Sequence, residues 1–219
     1  MNAMAGTLIL SALLFFTRCT GSSQIADPFS DAPETAGTLS VPFKAADSYE
    51  GALQVWETPE DINAWVAAHF TYDMQRALRL AETQKAKNER ISIYTPAEFF
   101  DAKTGVCVDL SRFGVETLKR IDPQSEPKYL MIEFDPVQIG GNTLRLHWLV
   151  SFKRGGRVFF FADSKRPGHI AGPYNDVQAF IGDYALYRGR RIVAFRELES
   201  YQRQRRTQAP KPEGPEDRP

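Results

Sequence analysis

The chain has 219 residues and balances 27 basic against 27 acidic side chains, so its formal net charge is zero. Balanced charge offers no basic surface for nucleic acid, and we predict no nucleic-acid partner. The hydrophobic content of 42% is ordinary for a globular protein. Without the two ends, roughly 150 to 170 residues remain, which is enough for one domain with a sizeable core.

Residues 1–23 predict an export leader. The apolar run at 8–16 is too short to span a bilayer but has the length of a signal-peptide centre. Cys19 closes this run and Gly and Ser follow, an order that resembles a bacterial lipoprotein signal. Two features depart from that signal: no basic residue precedes the run, and Arg18 replaces a small residue. We predict a periplasmic protein or a lipoprotein anchored through Cys19; the alternative is a buried helix of a cytoplasmic protein.

Two further segments have no periodic pattern. Residues 24–54 are rich in small, polar and proline residues, which predicts a disordered tether. Residues 207–219 contain four prolines and predict a disordered tail. The folded domain is therefore predicted over 55–206.

The first part of this domain predicts helices. From Pro59, apolar residues recur at helical spacing, and Asp61 is the predicted cap. A Thr-Pro pair at 95–96 opens a short helix. The longest helix begins at Cys107 and ends at the Asp-Pro pair 122–123.

The second part alternates apolar and polar residues with a period of two, which predicts an antiparallel sheet. Glycine pairs separate the candidate strands, and the pair 155–156 predicts a tight hairpin. The predicted strands are 129–134, 144–152, 158–162 and 191–195, with a helix over 176–187 before the last.

Cys107 is the candidate nucleophile. It follows Gly105 at the start of the longest helix, and it has no cysteine partner once the leader is removed. The N-terminal end of a helix and a nearby imidazole both favour the reactive thiolate. The alternative is a small buried apolar residue, which is what most free cysteines are.

His147 and Asp163 lie on the two arms of the predicted hairpin. Its turn is centred near 155.5, so position 147 falls opposite 164 and the imidazole meets the carboxylate. A carboxylate beside the second ring nitrogen is what a catalytic histidine needs. His69 is an alternative base, although its helical position predicts a packed side chain.

The segments Gly105-Val106-Cys107 with Asp109 and Ser111, then His147-Trp148, then Asp163, resemble the transglutaminase-like superfamily over roughly 59–195. The resemblance implies an α+β fold with a papain-like core, in which helices carrying the nucleophile at a helix start pack on an antiparallel sheet. It implies thiol acyl-transfer chemistry with Cys107 as nucleophile, His147 as base and Asp163 as orienting acid.

Further roles follow for the surrounding residues. The backbone N–H of Cys107 is one predicted oxyanion donor, and Tyr72, Gln84 and Tyr94 are candidates for the second. Trp148 is the predicted contact with substrate. The two cysteines and three histidines are too scattered to predict a metal site, and we predict no cofactor.

The leading functional hypothesis is an exported cysteine peptidase or amidase that acts on a peptide or protein of the cell envelope. Its thioester intermediate would be resolved by water. In one alternative an amine resolves the same thioester, as in transglutamination. Two others are a non-catalytic envelope binding module on the same fold and a structural lipoprotein.

Overall fold

The computed structural model describes residues 30–34, 42–81, 91–139 and 141–202. The predicted α+β fold is confirmed: helices come first and an antiparallel sheet follows. The helices of the described residues are α1 Tyr49–Val55, α2 Pro59–His69, α3 Met74–Leu80, α4 Pro96–Ala102, α5 Cys107–Ile121 and α6 Val177–Arg188. The strands are β1 Thr71–Tyr72, β2 Thr104–Gly105, β3 Lys128–Ile139, β4 Asn142–Arg154, β5 Arg157–Phe161, β6 Ala171–Tyr174 and β7 Ile192–Leu198.

Capping side chains set the start of the early helices. Thr58 is the cap of α2, and its hydroxyl accepts the backbone N–H of Asp61. The predicted cap, Asp61, instead lies inside the helix and accepts the backbone N–H of Thr58. The sequence prediction was therefore shifted by three residues, because both partners of such a box are good capping residues. Thr95 caps α4 in the same way, ahead of Pro96.

The main sheet has five strands in the order β6-β5-β4-β3-β7, all antiparallel. The β4–β5 hairpin turns at Gly155 and Gly156, whose φ angles of 57° and 74° favour glycine. Val150 pairs with Phe161, which is the register predicted for this hairpin. An extrapolation of that register places position 147 opposite 164.

Two apolar cores flank the sheet. On one side α5 packs against β4, and an aromatic cluster joins it to the early helices through Trp65, Phe99, Phe100 and Phe113. On the other side α6 contributes Phe180 and Tyr184, and the Phe180 ring stacks on Phe160 at 3.8 Å. The N-terminal end of α5 thereby lies next to the sheet.

The predicted tether over 24–54 extends too far. Residues 49–55 form α1, which Ser48 caps and whose Tyr49 hydroxyl lies 3.2 Å from the Thr117 hydroxyl. Trp56, just beyond the helix, is buried among the aromatic rings of the core. Burial of two large aromatic side chains outweighs the entropy of ordering a short helix, and composition alone does not reveal that.

Several predictions fall outside the described residues: the leader with Cys19, the oxyanion candidate Gln84, and the tail over 207–219. Among the described residues, none of the helices has the length and apolar character needed to cross a membrane.

Candidate active site

Cys107 is the first residue of α5, and its side chain is a free thiol with 7% exposure. The first N–H groups of a helix have no intrahelical acceptor, so the backbone at Cys107 can donate outward. Gly105 permits this turn, because a Cβ there would lie 2.9 Å from the Phe99 ring and 3.1 Å from the Asp109 Cβ. The tight approach holds the thiol at the helix start.

Asp109 fixes this helix start from inside the protein. Its carboxylate accepts the backbone N–H groups of Val106 at 3.1 Å and Tyr94 at 2.9 Å. It also makes a two-pronged ion pair with Arg76, at 2.7 Å from Nε and 2.8 Å from Nη2. Both side chains are buried, so the pair ties α3 to α5. Arg76 was not predicted from the sequence, because its only signal was a polar residue on a short helix.

His147 lies on β4, where it pairs with Ile132 of β3. Its ring stacks on Tyr184 with a centroid distance of 6.0 Å and an interplanar angle of 18°. The side chain is only 1% exposed. Packing between the sheet and α6 therefore fixes the plane of the imidazole.

Asp163 follows β5 in a turn that aims its carboxylate at His147. Oδ1 lies 3.5 Å from His147 Nε2, and the same oxygen accepts the Lys165 backbone N–H at 3.0 Å. The turn begins at Ala162, which has a φ of 64°. The structure thus places Asp163 beside the second ring nitrogen of His147, at the end of the predicted hairpin arm.

The Cys107 sulfur faces the same imidazole. One side-chain atom each of Cys107, His147 and Asp31 lie within 4.8 Å of one another. Because Nε2 faces Asp163, Nδ1 is the nitrogen left for the thiol, and the Asp31 carboxylate lies on the same side of the ring. Neither ring nitrogen makes a hydrogen bond of good geometry with the described residues, so the group is assembled but loosely spaced.

The charged groups around His147 favour its protonated form, the imidazolium. Burial lowers the pKa of His147, but Asp31, Asp163 and Cys107 outweigh it and hold that pKa well above its usual value. Burial likewise raises the pKa of Asp163, but His147 and the nearby arginines reverse this and the net direction is downward. Both shifts favour the pairing of an imidazolium with a carboxylate.

Asp31 is a site residue that the sequence analysis missed. Its carboxylate lies 3.4 Å from His147 Nδ1 through Oδ2 and 2.5 Å from Arg188 Nη2 through Oδ1. Asp31 belongs to the predicted tether and lies 116 positions from His147, so no local pattern could reveal the contact. Its carboxylate adds a second anion beside the imidazole.

A cavity of about 560 Å³ opens beside Cys107. Its wall is mostly apolar, and the predicted contacts Tyr72 and Trp148 both line it. The β1–β2 bridge pairs Tyr72 with Gly105, which brings the phenol to the nucleophile. Burial, with Asp31 and Cys107, raises the pKa of Tyr72, so the phenol keeps its proton and can donate.

The other oxyanion candidate, Tyr94, has a different role. Its ring lies under Arg76 at 3.9 Å, and its backbone N–H binds Asp109. Tyr94 therefore supports the ion pair of Asp109 with Arg76 at the start of α5. His69, the alternative base, packs edge-on against Phe43 at a centroid distance of 5.2 Å and in a tilted arrangement against Trp65 at 5.3 Å.

The expectation that cysteine and histidine are too scattered for a metal site rested on spacing along the chain. The fold brings potential ligand atoms of Asp31, Cys107 and His147 together. Thiolate, imidazole and carboxylate are ligands that Zn²⁺ accepts. The effect of a chelator therefore distinguishes a thiol mechanism from a metal-dependent one.

Two comparisons with known proteins bear on this arrangement. A family model described as "Transglutaminase-like domain" matches residues 38–172, which is more than half of the chain. The match begins ahead of α1 and includes Cys107, His147 and Asp163. No curated protein matches the chain.

Proposed function

Because the chain belongs to the transglutaminase-like domain family, we propose that it is a cysteine hydrolase that cleaves a peptide or amide bond through a thioester. The observation that carries this proposal is the meeting of three residue types from separate elements. Cys107 comes from the start of α5, His147 from β4, and Asp163 from the turn after β5.

The geometry supports a defined sequence of steps. The Cys107 sulfur attacks the substrate carbonyl while His147 Nδ1 holds the thiol proton. The sulfur–carbon bond forms, the carbon–nitrogen bond breaks, and the imidazolium returns its proton to the leaving amine. Water then attacks the thioester while His147 takes its proton; the carbon–sulfur bond breaks, the acid is released, and that proton is shared again by the imidazole and the Cys107 sulfur. Asp163 orients the ring and stabilises its charged form throughout.

The developing oxyanion would lie between two donors. One is the backbone N–H at the start of α5, and the other is the phenol of Tyr72 on the cavity wall. Trp148 lines the same cavity and would pack against the substrate chain. These are the roles that the sequence predicted for the Cys107 backbone, Tyr72 and Trp148.

We also propose that the protein acts in the bacterial cell envelope on a peptide or protein. The support is the leader pattern, an apolar run at 8–16 closed by Cys19. A membrane contact would then be made through the leader or its lipid.

Peptide turnover tests the catalytic proposal. A mixture of peptides is incubated with the protein, and new chain ends are read by mass spectrometry, with and without a primary amine and with and without EDTA. Cys107→Ser and His147→Ala should each lower kcat/KM by about 10³-fold or more, whereas His169→Ala, at an exposed loop position, should not.

Incorporation of the amine in place of cleavage would assign acyl transfer. Absence of any Cys107-dependent product would overturn the proposal, and loss of product with EDTA would replace it with a metal-dependent one.

A further inference from the structure

The segment Ser30-Asp31-Ala32-Pro33-Glu34, called here the N-terminal strap, lies across the candidate active site. Asp31 lines the apolar cavity and lies against His147, whereas His147 does not line that cavity. Asp31 therefore lies between the open cavity and the imidazole of His147. It occupies the other half of the cleft, between β4 and α6.

Two buried cations hold the strap. Arg188, at the end of α6, has a side chain with no exposed surface, and its Nη2 donates to the Asp31 carboxylate and to the Ser30 carbonyl at 3.3 Å. Lys165, in the turn after Asp163, is 2% exposed. Its Nζ donates to the Ser30 carbonyl at 3.1 Å and meets the Glu34 carboxylate at 3.0 Å.

The contacts of the strap are those of a bound peptide. The backbone N–H of Glu34 donates to the Lys165 carbonyl at 3.1 Å, as in a short strand pairing. The Tyr187 hydroxyl donates to the Glu34 carboxylate at 3.0 Å. Two carboxylates three residues apart thus occupy two places along one cleft, and the first lies within 4.8 Å of the nucleophile's side chain.

A buried cation is costly unless an anion accompanies it. The described residues supply Arg188 with one carboxylate in direct contact, and that carboxylate belongs to the strap. A substrate can reach His147 only after the strap leaves, and the cleft would then present Arg188 and Lys165 to the incoming chain. The cleft therefore favours a ligand that returns a carboxylate to Arg188.

We propose that Arg188 and Lys165 form an anion-binding subsite that selects acidic peptides, and that the strap is a tethered occupant of this subsite. The proposal deepens the hydrolase function and rests on it for turnover. An acidic peptide would bind with one carboxylate at Arg188 and a second, three residues later, at Lys165 and Tyr187. The strap competes with that peptide for the side of Cys107 that faces His147.

Protection of Cys107 from iodoacetamide tests the strap without requiring turnover. In the full chain at about pH 10, where a thiol is ionised whether or not an imidazolium lies beside it, the double variant Asp31→Ala/Glu34→Ala should be alkylated at Cys107 about tenfold faster or more, because each lost contact is a charge-assisted one. The site of modification is read by mass spectrometry. Asp47→Ala/Glu57→Ala removes two exposed carboxylates elsewhere and should leave the rate unchanged.

A synthetic peptide then tests the subsite. The capped peptide Ser-Asp-Ala-Pro-Glu, added to the Asp31→Ala/Glu34→Ala protein, should slow alkylation back towards the wild-type rate. The peptide with Asn and Gln at the acidic positions should not. Lys165→Met and Arg188→Met should each weaken the protection given by the acidic peptide. If Arg188→Met fails to fold, the comparison of the acidic and amide peptides still tests the subsite.

The outcomes separate this proposal from the proposed function. Equal alkylation of the double variant and the wild type, or equal protection by the acidic and amide peptides, overturns the subsite. Protection that EDTA abolishes also overturns it, since a metal ion would then hold Asp31 at the site. Specific protection with no Cys107-dependent cleavage of any peptide would retain the subsite and overturn the hydrolase.

Discussion

The residues of the segment 105–111 divide into those that take part in the proposed chemistry and those that support the helix start. Cys107 faces the cavity and the imidazole, whereas Asp109, two positions later, is fully buried behind the helix. The pairing of Asp109 with Arg76 satisfies the backbone at Val106 as well. The motif thus positions a nucleophile by burying an ion pair directly beneath it.

Removal of one partner of this pair tests the support role. Asp109→Asn leaves the Arg76 guanidinium buried without its anion, and we expect a loss of about 3–5 kcal/mol in the free energy of unfolding. Urea unfolding followed by circular dichroism measures it. Asp101→Asn, at an exposed position in α4, is the control and should change stability by less than about 0.5 kcal/mol. A similar small effect at Asp109 would contradict the account.

The contact between Asp31 and His147 predicts how the stability of the protein changes with pH. Asp31 is among the groups that raise the pKa of His147, so Asp31→Asn should lower that pKa. A raised folded-state pKa stabilises the protein fully below the unfolded value of about 6.5, and the stabilisation is lost as the pH rises through the folded pKa. The stability difference between wild type and Asp31→Asn should therefore shrink with rising pH across that window.

Two measurements check this prediction. NMR titration of the imidazole gives the pKa of His147, and urea unfolding at a series of pH values gives the stability difference. The titratable groups that face the ring besides Asp31 are Asp163 and Cys107, and Arg188 acts on the two carboxylates; all three stay in place in the variant. An unchanged or higher pKa of His147 in Asp31→Asn would show that the strap does not contact the ring in solution.

At the scale of elements, the packing of α5 on the sheet decides where the nucleophile lies. Gly114 is the contact point, because a Cβ there would meet Val150 at 2.8 Å and Phe161 at 2.9 Å. The glycine lets α5 approach β4 and β5 closely, and that approach brings the helix start to the end of the hairpin. The close packing of α5 on the sheet therefore determines where Cys107 lies in the site.

Two glycine-to-alanine changes in helices should change the stability of the protein in opposite directions. Alanine is favoured over glycine in a helix by about 1 kcal/mol. At Gly114 the added methyl group clashes with the sheet, and we expect a net loss of about 1–3 kcal/mol. At Gly182 in α6 nothing lies within 4 Å of the new Cβ, so stability should rise by about 0.5–1 kcal/mol. Thermal unfolding measures both, and a gain at Gly114 would contradict the close packing.

Local patterns predicted the elements that carry the candidate triad. The helix start at Cys107 and the glycine pair at 155–156 are short-range signals, and the hairpin turn places position 147 opposite 164. β6 was not predicted, because Gly172 and Pro173 interrupt it; an edge strand tolerates them.

The parts of the site that could not be predicted depend on contacts between distant positions. Asp31 meets Arg188 across 157 positions, and Arg76 meets Asp109 across 33. In the sequence each is one polar residue among many, with no spacing that relates it to its partner. Helix α1 was missed for the same reason, since its stability comes from burial against Phe100 and Phe113.

At the scale of the whole molecule, the strap joins the predicted leader to the catalytic cleft. Cys19 and Ser30 are eleven positions apart (30 − 19), so an extended chain between them spans at most about 40 Å. If lipid on Cys19 anchors the protein, the cleft lies near the membrane surface. The same short connection limits how far the strap can withdraw from Arg188.

Fractionation of a bacterial host that produces the full chain tests this arrangement. We expect wild-type protein in the membrane fraction, and Cys19→Ser should move it to the soluble envelope fraction or leave it unprocessed, because a lipid chain supplies most of the anchoring energy. Cys107→Ser is the matched control: it also removes one thiol, yet it should not change the distribution. Release of Cys19→Ser should also make Cys107 more accessible to iodoacetamide, since a free leader lets the strap withdraw further. Full-length protein in the cytoplasm would contradict export, whereas processed Cys19→Ser protein that still fractionates with membranes would contradict the lipid anchor alone.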